Sequence, residues 1–302
     1  MPIEVAFDAV LVLLLLGLAG TALHVRRLYT AVLLFVIFGL LLAITWARLG
    51  AVDLALAEAA IGAGLIGVML LTALARSGAE PAMRSGRLGV AVSSVLAVLV
   101  TALLALAVLP LAERTVDLPE LVSAQMTNSG VSHPVTAVLL NFRGWDTLLE
   151  LVVLLLAFLG VRQLGPAGGS LPAAWPLLDA WSRLLAPLSI MLAGYLLWRG
   201  SAAPGGAFQA GAVLAAGAVM LHLAGLLPRI GWSNWQVRVL MLAGIAVFAL
   251  VAAGTHWLGA GWLNYPLSWS KALIVLVEIA ATCSIATTLT LLVIGEREQP
   301  TP

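Results

Sequence analysis

The sequence predicts an all-α, polytopic membrane protein with about nine transmembrane helices, its N-terminus outside and its C-terminus inside. Three observations carry this expectation. The 302 residues are 62% hydrophobic and only 10% charged, whereas a soluble domain carries about 25% charged residues. Apolar runs of roughly 20 residues, the length that crosses a hydrocarbon core about 30 Å thick, recur along the chain. The alternating pattern of a membrane barrel is absent, and helices are the other form that satisfies its backbone in lipid.

The runs fall near residues 5–24, 30–49, 52–75, 87–111, 146–164, 177–198, 206–227, 236–258 and 270–294. What precedes the first apolar stretch holds Glu4 and Asp8 and no basic residue, and the stretch is long for a signal-peptide core, so it reads as a span. Basic residues orient the chain. With the N-terminus outside, Arg26, Arg27, Arg76, Arg84, Arg87, Arg162, Arg183, Arg229, Arg238 and Arg297 lie inside. Arg48, Arg114, Arg143, Arg199 and Lys271 lie outside, a ratio of ten to five that follows the positive-inside rule. Residues 112–132 are polar and read as the longest loop, on the outer side. The stretch 165–172, Gly-Pro-Ala-Gly-Gly-Ser-Leu-Pro, has linker composition and separates five spans from four.

Several function classes are excluded at this level. A net charge of +1 recruits no nucleic acid, and the single Cys283 allows neither an internal disulfide nor a multi-cysteine metal site. No phosphate-binding loop, nucleophile elbow, zinc-binding His pair or haem-attachment motif is present, so no enzyme activity and no cofactor are expected. Attention falls on ionisable residues within the spans, each costing at least ~2.5 kcal/mol near the bilayer centre.

Glu58 lies between one and two turns into the third span, among Ala and Gly residues that permit close helix approach. Gly62-Ala63-Gly64 weakens the helix there and allows a π-bulge or hinge. The carboxylate serves either as a relay for ions or as the partner of a basic residue on another subunit. Asp53, at the span's start, reads as a residue favoured by the helix dipole. Arg143, Asp146 and Glu150 form a second group. Asp146 and Glu150 share a helix face, and Arg143 reaches Asp146 across the turn as a cap and salt bridge. Residues 134–140 read as a short helix at the interface. Lys271 and Glu278 stand seven apart, roughly 10.5 Å along the last span. They either extend a polar line inward, or Lys271 snorkels to the interface while Glu278 pairs with a neighbouring subunit. Pro204-Gly205-Gly206 is a tight turn opening a span. The small residues Ala59, Gly62, Gly206 and Ala210 are candidate partner surfaces.

Three stretches resemble known families. Val52-Asp-Leu-Ala-Leu-Ala-Glu-Ala-Ala-Ile-Gly-Ala-Gly64 resembles the core of the MbhD-type domain of Mrp antiporters and membrane-bound hydrogenases. Pro134-Val-Thr-Ala-Val-Leu-Leu-Asn-Phe-Arg-Gly-Trp-Asp-Thr-Leu-Leu-Glu150 resembles the MbhE-type element, and Pro204-Gly-Gly-Ala-Phe-Gln-Ala-Gly211 the signature of the MnhB (MrpB) family. The resemblance implies an MbhD-like segment at 1–80, an MbhE-like segment at 81–165 with two helices and an interfacial helix, and a four-helix MnhB-like domain at 172–302. It implies a non-enzymatic, multi-pass subunit of the inner (plasma) membrane. Its partners would be other Mrp or complex I-like membrane subunits, and its cargo protons and monovalent cations such as Na+. Within the resemblance, Glu58 and Glu150 carry over as ion-path residues, and the π-bulge of the related complex I subunit falls in the third span. A membrane arm of an ion-pumping redox complex is the alternative it leaves open, ahead of a self-sufficient transporter. Asn141, Leu149, Ala207 and Ala210 depart from the family pattern. Asn141 removes a charge, which argues against a sodium site at that position.

Overall fold

The computed structural model describes residues 2–77, 86–109, 117–164, 176–227, 231–258 and 261–295. Among these, every regular element is helical. Eight helical stretches are long and apolar enough to cross a membrane. They are α1 (Pro2–His24), α2 (Leu28–Arg48), the third span from Val52 onward, α5 (Arg87–Val108), α8 (Gly144–Gln163), α9 (Pro176–Arg199), α11 (Trp235–Trp257) and α12 (Ser270–Ile294). The ninth expected span, α10 (Ala207–Leu223), is apolar but only 17 residues long. It starts late, after Pro204-Gly205-Gly206, and stops early, with Gly225 at φ +73° ending it.

The third span is not a regular α-helix. It runs as α3 (Val52–Ala57), a π-helical segment (Glu58–Leu65) and α4 (Ile66–Ser77), so the bulge falls where Gly62-Ala63-Gly64 weakens the helix. The polar stretch expected as one long loop is partly helical. Residues 112–116 lie outside the described residues, but α6 (Leu118–Gln125) follows, because Asp117 caps it by accepting from Glu120 N at 3.2 Å and Pro119 fits its first turn. The stretch 134–140 is α7 (Pro134–Ala137) running into a π-helical segment (Val138–Phe142). One face of it, Thr136, Ala137 and Leu140, is buried, while Val135, Leu139 and Phe142 are exposed. The proposed linker 165–172 lies outside the described residues, as do Arg84, Arg114, Arg229 and Arg297.

The core is built around α12, half of whose spanning window is buried. It packs on α10, α11 and α8. Small residues set these contacts. A side chain at Gly211 would run into Ile285, and one at Gly244 would run into Ser284 and Ala281. Ser284 Oγ donates to Met241 O of α11, adding a hydrogen bond across the close approach. Ala210, expected on a partner surface, is 0% exposed, because α10 is wedged between α9 and α12 within the chain. By contrast, α1 leans on α2, joined by the Arg48–Asp8 ion pair at 3.0 Å. No residue in the window of α5 is buried, so its Leu and Val side chains face whatever surrounds the chain.

Candidate functional site

Glu58 is the first residue of the π-helical segment and is half-buried. Its carboxylate lies over Gly62, where a methyl group would collide with it, and against Gly39 of α2, where an added Cβ would stand 3.3 Å from Oε1. Glycine on both helices therefore makes the space that the carboxylate occupies. Among the described residues Glu58 forms no salt bridge.

Asp53, one turn earlier, holds a junction of three separate parts of the chain. His133 Nε2 contacts Asp53 Oδ2 at 2.9 Å. The amide of Gly205 donates to Asp53 Oδ1 at 3.0 Å, and Gln209 Nε2 donates to the Asp53 carbonyl at 3.3 Å. Around them, the Ser132 and His133 amides donate to Ser201 O, and Thr136 Oγ1 donates to Gly200 O. The side chains of Asp53 and His133 are 14% and 12% exposed. Sequence reasoning took Asp53 for a helix-start residue and passed over His133, Thr136 and Gln209. Pro134 after His133 marks a helix start, but nothing local identifies a partner 80 residues away.

Glu278 lies on the far side of the same turn. It is 2% exposed, its Oε2 has no hydrogen-bond partner, and its Oε1 faces Gly200 and Gly206. An added Cβ would stand 3.0 Å from Oε1 at Gly200 and 3.1 Å at Gly206. Gly205 and Gly206 have φ of +151° and +110°, which favour glycine. The turn read from sequence and the glutamate of the last span are thus one site.

The other candidates separate from it. Lys271 is exposed at the start of α12 and forms no ion pair with Glu278. Arg143 pairs with Asp146 at the start of α8, both well exposed. Glu150, one turn on, is exposed on α8. Beside this corner Trp145 packs on Trp262, and His256 stacks on Trp262 at 4.5 Å. Tyr265 donates to Leu140 O at 2.9 Å, and burial pushes its phenol above the ordinary tyrosine range. No group of three or more His, Cys, Asp or Glu able to hold a metal ion occurs among the described residues.

A glycine-interrupted bundle of apolar helices with isolated carboxylates defines a multi-pass membrane protein. Its domains are recognisable. Residues 13–79 match the MbhD family of MBH components, and residues 177–296 match a domain related to the MnhB subunit of Na+/H+ antiporter. The two matches fall along the chain in the order that the MbhD-like and MnhB-like motifs led one to expect. A relative from Rhizobium meliloti (strain 1021), described as the A/B component of a probable K(+)/H(+) antiporter, is 28% identical over 172 residues, which is 47% of this chain and 17% of the relative. The fold matches a chain of the Mrp complex from Dietzia sp. with a TM-score of 0.78 at 24% identity, over 97% of this chain and 35% of that one. It also matches a chain of the membrane-bound sulfane sulfur reductase, an archaeal respiratory membrane complex. There the TM-score is 0.53 at 22% identity, over 67% of this chain and 97% of the other. This chain therefore spans only about a sixth of the antiporter relative and about a third of the Mrp chain.

Proposed function

We propose that this chain is a non-enzymatic membrane subunit of a multi-subunit, Mrp-type cation/proton antiporter complex. It contributes carboxylates to an ion path and surfaces to antiporter-like subunits. The observation that carries this is Glu58 at a π-helical segment, held in a space made by Gly39 and Gly62. A carboxylate is expensive inside a membrane, and a π turn gives its helix a second arrangement within reach. Both properties suit a group that takes up and releases ions. The MbhD and MnhB matches and the antiporter description of the Rhizobium meliloti relative support the assignment. Glu150 joins the path from the surface of α8, where a partner subunit covers it. Arg143, Asp146 and Lys271 frame its outer end. The segments 1–80, 81–165 and 172–302 are its MbhD-, MbhE- and MnhB-like parts, set N-out and C-in across the plasma membrane.

The test is cation-dependent proton exchange in vesicles carrying the complex. Glu58→Gln should abolish the exchange or shift its pH profile while the complex still assembles. Normal exchange by that variant sinks the relay role and leaves an interface role for the carboxylate. A second reading is the membrane arm of an ion-pumping redox complex, favoured by the match to nearly the whole of a respiratory-complex chain. Mass spectrometry of the complex purified in mild detergent separates the two. Antiporter-like subunits alone support the first, and iron–sulfur or nickel–iron subunits the second.

A further inference from the structure

We propose that Glu278 and Gln209, meeting at the Pro204-Gly205-Gly206 turn, bind a monovalent cation. Four observations converge. Glu278 is 2% exposed and its Oε2 is buried without a hydrogen-bond partner. A buried charge needs a counter-charge close by, and among the described residues no Lys, Arg or His pairs with it. Its Oε1 fronts two glycines, so the space beside it holds no side chain from either.

The second oxygen comes from α10. Gln209 is 8% exposed, and its Oε1 stands 3.8 Å from the point where a Cβ on Gly206 would lie, the same point that is 3.1 Å from Glu278 Oε1. The amide cannot turn round without loss. Its Nε2 donates to the Asp53 carbonyl, which only accepts, so Oε1 is the atom presented to the site. The Asp53 carboxylate in turn holds Gly205, which fixes the turn that brings α10 to this level.

The site lies between the last turn of α9, whose Leu196 carbonyl accepts from both the Gly200 and Gly206 amides, and the first turn of α10. Glu278 is eight residues into α12, roughly 12 Å from the start of that helix, so the site is inside the bundle. A single carboxylate with a neutral amide balances one positive charge. A divalent ion, which usually takes several carboxylates, is not matched in charge.

The proposal rests on the antiporter reading only for the expectation that monovalent cations are the cargo. It is tested on the purified complex by infrared difference spectroscopy, replacing choline with Na+ or K+ at constant ionic strength and pH. Binding shifts a carboxylate stretching band in the wild type. The shift disappears in Glu278→Gln and needs at least about tenfold more cation in Gln209→Ala, the order of loss that follows removal of a group supporting a bound ion. Gln209→Ala also answers the case in which Glu278→Gln fails to assemble. A band that responds to pH but to no cation overturns the proposal in favour of a proton at Glu278. A cation-dependent band that survives both substitutions places the cation elsewhere and overturns it too. Exchange activity without such a band removes this site and leaves the antiporter reading standing. A band lost in Glu278→Gln, in a complex that does not exchange, keeps the site and removes that reading.

Discussion

At the scale of single residues, the polar groups inside this bundle divide by what touches them. Asp53 is tied to His133, Gly205 and Gln209 by hydrogen bonds. Replacing His133 by Ala leaves Asp53 Oδ2 without its 2.9 Å partner in a place only 14% exposed. A loss of about 1–3 kcal/mol is expected, the cost of an unsatisfied buried group, read as a lower unfolding temperature of the complex in detergent. Asp53→Asn should cost a similar amount. The double variant should cost less than the sum, because the two side chains share one contact. Tyr265 acts in the same way on the Leu140 carbonyl. Tyr265→Phe should destabilise by about 1 kcal/mol or more. Its raised phenol sets the pH sense of that contribution. The folded state keeps the proton that the unfolded chain releases near pH 10, so the stabilisation is complete below about pH 10 and falls as pH rises beyond it. A thermal unfolding series across that range, wild type against Tyr265→Phe, reads the difference. Asp53 and Arg143 show how far residue types alone can take the reading. The Arg143–Asp146 pair was legible from its spacing of three, because helix geometry sets which neighbours meet. The Asp53–His133 pair was not, because 80 residues of chain separate its members.

At the scale of elements, two glycine-rich stretches determine how the helices run. The π-helical segment Glu58–Leu65 exists with Glu58 folded back over Gly62. Gly62→Ala should displace the carboxylate and lower exchange activity while the other spans stay in place. Unchanged exchange in a vesicle assay would remove the tie between that glycine and the ion path. The Pro204-Gly205-Gly206 turn is the second stretch. Gly205 has φ +151°, and an added Cβ would meet the Leu196 carbonyl. Gly205→Ala should therefore cost about 1–3 kcal/mol from strain alone, measured as the yield and unfolding temperature of the purified complex. Both stretches were visible in the sequence as glycine runs. What each glycine makes room for was not, since Gly62 accommodates a neighbour on its own helix and Gly206 a carboxylate on α12. The helix α6 was misread as loop because its composition is polar. Its capping aspartate and Pro119 outweigh that composition, since they satisfy or remove the amides a helix start leaves unpaired.

At the scale of the whole molecule, α12 is the hub and α1 and α5 are the periphery. The exposed faces of α1, α5 and α8 give the chain far more apolar surface than a water-facing protein tolerates, as a multi-pass membrane protein requires. Orientation is tested at this scale. With Cys283 replaced by Ser, a cysteine introduced at Glu4 should react with a membrane-impermeant maleimide in intact cells. Labelling only after the cells are opened would reverse the N-out assignment. The class of the protein was legible from composition and from the period of its apolar runs, because lipid imposes one backbone solution and one length on every span. Two of the three resemblance motifs, those at 52–64 and 204–211, were legible too, being short and contiguous, and the MbhD and MnhB matches agree with them. Other properties depended on which helices lie side by side. Ala210 is sealed inside the chain rather than offered to a partner. Glu278 meets the glycine turn from 72 residues away in sequence and stands apart from Lys271, only seven residues before it. Helical periodicity states which side chains share a face, but not which neighbour that face meets. That choice is made by packing, where a missing Cβ at Gly39, Gly200 or Gly206 decides where a carboxylate fits.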